Sequence, residues 1–207
     1  MAREDDYHRA YEIAKDELRN RNPHHVCRAS GSQCVEEGNQ PTGIRIMFLN
    51  RPVTISWPDL AFQKDSGEEI PIKQKILVLH YLNGSSSEDL TGDWISYKDI
   101  PSARFYLDAF NRRVKYPLVS AFGEQPDRLP PVAKELFGAT TSSMGDSSVR
   151  IQAFPKVPIT LVIWKGDEEF SSDGTILFDS SIKDMLSAED ISELTSQVVY
   201  PLIAKAK

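Results

Sequence analysis

Residues 158–186, PITLVIWKGDEEFSSDGTILFDSSIKDML, set an apolar run against a cluster of acids. Ile159 to Trp164 is short, continuous and rich in branched residues, as a buried strand should be. It breaks into a turn carrying Gly166, Asp167, Glu168 and Glu169. Thr175 to Phe178 then resumes as a second apolar run, followed by Asp179 and the opening of a helix. Upstream, Val149, Ile151 and Ala153 alternate into Phe154, and Pro155 to Pro158 turns the chain. Residues 149–154 and 159–165 are therefore expected to pair as a hairpin. Downstream, Ser187 stands as an N-cap, Asp190 occupies the capping-box position, and Leu186 can staple onto Ile191. Ile191, Leu194, Val198, Leu202 and Ile203 form the buried stripe of this last helix, with Pro201 as a late kink.

The rest of the chain supplies shorter elements. Tyr7, Tyr11, Ala14 and Leu18 recur at helical spacing over residues 5–20, and that helix stops before Asn22-Pro23. Residues 23–42 hold His24, His25, two cysteines and Pro41, and read as irregular with room for one short strand. Ile44, Ile46 and Phe48 alternate, Arg51-Pro52 interrupts, and Val53, Ile55 and Trp57 alternate again, which is a hairpin pattern. Asp65-Ser66-Gly67 marks a further turn. For residues 71–83, length and the Pro71 and Asn83-Gly84 brackets favour a helix over a buried strand. A loop from Ser85 to Gly92 leads to a short extended piece at Trp94 to Tyr97. Pro101 opens a helix with Phe105, Ala109, Phe110 and Val114 on one face, which Pro117 should end or kink. Pro130 to Phe137 is a short helix closed by Gly138, and Ala139 to Ser148 reads as a mobile polar loop. Short antiparallel strands and hairpins mixed with about five helices make an α+β chain, expected to be a single domain over residues 1–207.

Composition narrows the function classes. The 207 residues carry a formal net charge of −6, with a sequence pI near 5.3. Basic residues are scattered, with Arg112-Arg113 the sole adjacent pair, so no nucleic-acid footprint is expected. No run approaches the ~20 apolar residues of a membrane span. The first residues, MAREDDYHRAYEIAK, contain no apolar secretory core, so a cytoplasmic location is expected.

The chemistry-bearing residues fall into four groups. Asp167, Glu168 and Glu169, with Asp173 and Asp179, offer hard oxygen ligands for Mg²⁺ or Ca²⁺, or an acid/base pair whose pKa is raised beside Trp164 and Phe170, both expected to be buried. The same acids suit a solvated turn with Asp179 capping the following helix, and that reading takes precedence. His80, next to Tyr81, is the one histidine set in an apolar run and so needs a polar partner. Trp94, Tyr97, Phe105 and Tyr106, with Arg104, can line a pocket for a planar ligand or simply build core. Cys27 and Cys34, spaced CRASGSQC, match neither a redox pair nor a zinc knuckle. With His24 and His25 they allow a two-Cys, two-His metal site, against the plainer reading of two reduced thiols. Phosphate-binding loops, nucleophile elbows and H-E-x-x-H are missing.

The strings KILVLHYLNG, LTGDWISYKDIPSARFYLDAFNRRVKYPLVSAFG, PKVPITLVIWKGDEEF and ILFDSSIKDMLSAED, in that order, resemble the family known as domain of unknown function 3786, over about residues 5 to 203. Its members are prokaryotic proteins, mostly from anaerobes, and some carry an added iron–sulfur segment that this chain lacks. The resemblance implies a setting in anaerobic redox or corrinoid metabolism and groups His80, Tyr81, Trp94, Phe105, Asp167, Glu169, Phe170 and Asp179 in a shared framework. It brings no activity, cofactor or catalytic residue. Two classes of function follow as expectations. One is an accessory domain that binds a ligand or a redox, iron–sulfur or corrinoid partner. The other is a small metal-dependent enzyme using the Trp164–Phe170 carboxylates with His80.

Overall fold

A computed structural model describes residues 4–64, 67–86 and 88–206. The chain is α+β and forms two compact units. The first takes residues 1–89 with 154–156 and 184–186, and the second takes 90–153, 157–183 and 187–207.

In the first unit, helices α1 (Glu4–Arg19) and α2 (Pro23–Ser30) precede an antiparallel sheet. Its strands are β1 (Gln33–Glu37), β2 (Gln40–Phe48), β3 (Arg51–Ser56) and β4 (Phe62–Lys64), in sequential order across the sheet. Helix α3 (Ile72–Gly84) closes the unit, so the helical reading of 71–83 holds. Gly43 pairs with Ser56 and Phe48 with Arg51, as the alternation of Ile44, Ile46, Val53 and Ile55 requires, and all four are buried. The turn itself falls at Leu49 and Asn50, both at positive φ, and not at Arg51-Pro52. Pro52 pairs with Met47 beyond the reach of β4, where its missing N–H costs no ladder bond on that side. Of the expected turn at Asp65-Ser66-Gly67, the first two residues lie outside the described residues.

The irregular reading of residues 23–42 is corrected by α2, β1 and the start of β2. Asn22 caps α2 by accepting from His25 N at 3.1 Å, Pro23 stands in the first turn, and Gly31 (φ 69°) ends it in the left-handed conformation. Tyr81 organises the core here. Its hydroxyl donates to Ser30 O at 2.7 Å and accepts from Lys156 N at 3.1 Å, while its ring stacks on Phe154 with centroids 4.3 Å apart.

The second unit is built on a five-stranded antiparallel sheet. The strands are β5 (Trp94–Ser96), β6 (Thr140–Thr141), β7 (Ser147–Phe154, whose last residue belongs to the first unit), β8 (Val157–Trp164) and β9 (Asp173–Asp179), ordered β5-β9-β8-β7-β6. β7 and β8 are neighbours, as the alternation from Val149 requires, and β8 pairs with β9 across the acidic turn. The polar stretch 139–148 is not an open loop: β6 pairs with β7. Ser148 Oγ also donates to Ser142 O at 2.9 Å, and Asp146 accepts from Lys165 N at 2.8 Å.

Between β5 and β6 the chain runs through a 3-10 turn (Ala103–Tyr106), α4 (Leu107–Phe110), a π-helical turn (Asn111–Lys115), α5 (Tyr116–Phe122), and α6 (Leu129–Phe137) with Gly138 as its left-handed cap. Phe110, Val114, Leu118 and Phe122 are buried along one face. Phe105 and Ala109, expected on that face, are exposed, because the 3-10 and π turns change the helical phase. The π turn also lets Tyr116 N reach Asn111 O, so the helix continues through Pro117. After α7 (Ile182–Met185), α8 (Ala188–Ala206) begins with the expected capping box. Ser187 Oγ and Asp190 Oδ2 lie 2.6 Å apart, and Asp190 N donates to Ser187 Oγ at 3.1 Å. Ile191, Leu194, Val198 and Leu202 are buried, Ile203 is half-buried, and Pro201 stays inside the helix.

Candidate functional site

The segment from Arg104 to Tyr116 carries four basic residues against one acid, Asp108, in a chain of net charge −6. Buried side chains fix its orientation. Tyr97 stacks on Phe110 with centroids 3.9 Å apart and donates its hydroxyl to Ala188 O at 2.9 Å. Burial pushes the Tyr97 phenol up to about 12, so it stays a donor. With Phe110 and Val114 turned inward, Arg104, Phe105, Tyr106, Arg112, Arg113 and Tyr116 face solvent, Phe105 at 91% exposure.

Two ion pairs tie this segment to its neighbours: Lys115 Nζ to Asp173 at 3.0 Å, and Arg113 to Glu193 of α8 at 3.8 Å. Asp173 stands directly opposite Trp164 in the β8–β9 ladder, which puts both side chains on one face of the hairpin. Trp164 and Phe170, expected to be buried beside the acids, are both exposed, Phe170 at 70% in the turn between those strands, so among the described residues no apolar pocket surrounds the carboxylates there. Trp164 therefore shares a face with the Asp173 partner of Lys115, and the segment itself carries further exposed rings at Phe105, Tyr106 and Tyr116.

The acidic turn is held by its own carboxylate. Asp167 Oδ1 accepts from Glu169 N at 2.9 Å and Phe170 N at 2.8 Å, and the Asp167 N–H donates to Phe170 O at 2.9 Å. The Phe170 and Glu169 N–H bonds hold its carboxyl below the usual carboxylate range. Glu168 and Glu169 are exposed. Asp179 is not a simple helix cap. Its buried carboxylate accepts from the backbone N–H groups of Thr91, Gly92 and Ser181 and from the hydroxyls of Thr91 and Ser181. Burial alone would raise its pKa, but these bonds together outweigh that and bring it down to about 2. An acceptor shared among five donors has little left for a metal ion.

The remaining sequence candidates fall in different units. His80 and Tyr81 lie on α3 in the first unit, whereas Trp94, Tyr106, Trp164 and the acidic turn belong to the second. Tyr81 is buried and bonded to backbone, with its phenol pushed up to about 12 by burial, which makes it a core residue. Trp94 is half-buried, with the Arg150 guanidinium 4.6 Å from its ring centroid. Two clefts of the second unit, of about 560 and 630 Å³, are lined by none of the candidate site residues.

The cysteines are not free thiols. Cys27 of α2 and Cys34 of β1 form a disulfide, their Cα atoms 5.8 Å apart, because α2 turns back at Gly31 onto the adjoining strand. A metal site on both cysteines and both histidines is thus not what the fold assembles. His24, Cys34 and Glu36 instead bring their ligating atoms within 4.8 Å of one another. Glu36 was not legible as a member of that group, since it reaches the others only through the helix–strand fold-back.

No described helix is long and apolar enough to cross a membrane. No curated protein matches this chain, and no solved structure does. A family model matches residues 22–200, nearly the whole of the chain, in agreement with the resemblance read from its separate segments, and the protein belongs to the family described as Domain of unknown function (DUF3786).

Proposed function

We propose that this protein is an accessory domain that binds an acidic protein partner through the aromatic and basic surface of residues 104–116. The observation that carries the reading is Phe105, a large apolar side chain at 91% exposure next to Arg104 in a segment that also exposes Arg112. Arg112 makes no ion pair among the described residues. Exposed aromatic and arginine side chains are the residues that most often dominate binding at protein interfaces. Clustered large apolar groups on a surface mark such sites. The π turn that carries Arg112 and Arg113 supports the reading, because such turns are frequent at functional sites. Charge complementarity selects an acidic partner. The net charge of −6 disfavours a polyanion such as nucleic acid, which responds to the field of the whole molecule.

The setting implied by the family resemblance makes an iron–sulfur or corrinoid protein with an acidic face the first partner to try. A photo-reactive phenylalanine analogue placed at position 105 in the native host tests the reading, with position 35 of β1 as an exposed control. A discrete protein crosslink from position 105, absent at 35 and weakened by Arg112→Glu, is expected. Equal crosslinking from both positions, or none from 105, would overturn it.

A further inference from the structure

The disulfide holds the sulfur of Cys34 beside two other ligating groups. His24 Nδ1 lies 3.2 Å from Glu36 Oε1, and the Cys34 Sγ joins them within 4.8 Å. The three come from two elements. His24 stands in the first turn of α2, while Cys34 and Glu36 lie on β1, where a bulge between Val35 and Glu36 re-aims the strand. Cys34 Sγ is also 3.5 Å from Pro23 O, next to His24 in the chain. The side chains of His24 and Glu36 are 49% and 38% exposed, so a cation reaches them from solvent.

Imidazole nitrogen, sulfur and carboxylate oxygen in one place make a donor set suited to zinc. One condition is unmet while the disulfide stands: the metal ligand is a thiolate, and a disulfide sulfur is not one.

We propose that reduction of the Cys27–Cys34 disulfide opens a Zn²⁺ site made by Cys34 Sγ, His24 Nδ1 and the Glu36 carboxylate, with water in the fourth position. A dithiol reductant supplies two electrons and two protons. The S–S bond breaks, Cys27 and Cys34 become thiols, and the reductant leaves as its own disulfide. Zinc then takes the place of the Cys34 thiol proton, which passes to solvent. Cys27 stays in the buried face of α2 and takes no part in ligation. The metal and the disulfide are alternative staples for the same joint, since each ties α2 to β1. Disulfides persist in oxidising compartments and are reduced in cytosol, so the compartment selects which staple is present.

The test uses the full chain, oxidised or reduced and desalted without oxygen, with zinc chloride competed against a chromophoric chelator. The reduced protein is expected to withdraw one zinc per chain and the oxidised protein none. The reduced His24→Gln, Glu36→Gln and Cys34→Ser variants should each lose that zinc. Cys27→Ser and Cys27→Ala free Cys34 without any reductant and should bind zinc as purified, which keeps the test decisive if reduction unfolds the wild type. Co²⁺ in place of zinc should give a sulfur-to-metal charge-transfer band in Cys27→Ser that Cys34→Ser lacks. Zinc held equally by both redox forms, by none of these proteins, or unchanged by His24→Gln and Glu36→Gln would overturn the proposal.

Discussion

The Asp179 carboxylate accepts the Gly92 N–H at 2.8 Å across 87 residues of chain, and so joins the end of β9 to the loop before β5. With four further bonds from Thr91 and Ser181, it is a buried charge whose solvent has been replaced by protein donors.

Acid sensitivity follows from that cradle. The folded carboxyl titrates at about 2, below the ordinary ~3.9 it regains on unfolding. A depressed acid stabilises the fold in full above the unfolded value, and the contribution fades as pH falls from about 4 through about 2. A tenfold change in proton affinity is worth about 1.4 kcal/mol, so roughly 2–3 kcal/mol is at stake. Urea unfolding at pH 7 and below pH 3 checks this. Asp179→Asn should cost most at pH 7, and the gap to wild type should narrow at low pH. Parallel profiles for the two proteins would reject a charged cradle.

A second prediction concerns Tyr81. Removing its hydroxyl in Tyr81→Phe keeps the stack on Phe154 but takes the partner from the buried Ser30 O and the half-buried Lys156 N. The expected loss is about 1–3 kcal/mol, seen as a lower urea midpoint with an unchanged slope. A variant within about 0.5 kcal/mol of wild type would mean that other partners satisfy those groups.

How much of this was legible depended on sequence distance. The Ser187–Asp190 capping box and the β7–β8 and β2–β3 hairpins rest on chemistry within a few residues, and each was readable. Helix α2 is hidden in the sequence although Asn22-Pro23 and Gly31 bracket it, because eight residues give too little periodicity to set against a run of His and Cys. The outward turn of Phe105 depends on a 3-10 turn that no spacing rule announces. Asp179 was legible as an acid and a cap, but its donors Thr91 and Gly92 lie far off in sequence. Glu36 joins His24 and Cys34 only once α2 folds back on β1.

Gly145 gives a backbone prediction. It sits at φ +60°, and a Cβ there would meet Ile163 O at 2.7 Å and Val162 Cγ1 at 2.8 Å. Gly145→Ala therefore combines a strained conformation with a collision against β8. It should destabilise by about 1–3 kcal/mol, lowering the thermal midpoint by several degrees. A midpoint equal to wild type would mean that the 142–148 turn shifts to make room.

The acidic turn should respond locally. Asp167→Ala removes the acceptor for Glu169 N and Phe170 N, while Asp167→Asn keeps an oxygen in place. Amide hydrogen exchange at 169 and 170 should accelerate in the first variant and much less in the second, with β8 and β9 amides unchanged in both. Exchange spreading into the strands would show that the turn holds the hairpin together.

Phe105 separates binding from folding. A core aromatic cut back to a small residue costs ~3–5 kcal/mol, but a ring at 91% exposure has little packing to lose. Phe105→Ser should therefore change unfolding stability by under about 0.5 kcal/mol. The same change at buried, stacked Phe110 should cost several times more. If residues 104–116 form the binding surface, Phe105→Ser, tested against a partner identified by crosslinking, weakens association with stability preserved. Arg112→Ala should act in the same direction and lose much of its effect as salt is raised, because its contribution is charge facing an acidic partner. Large destabilisation by Phe105→Ser would place that ring in the core and remove the basis for a docking surface.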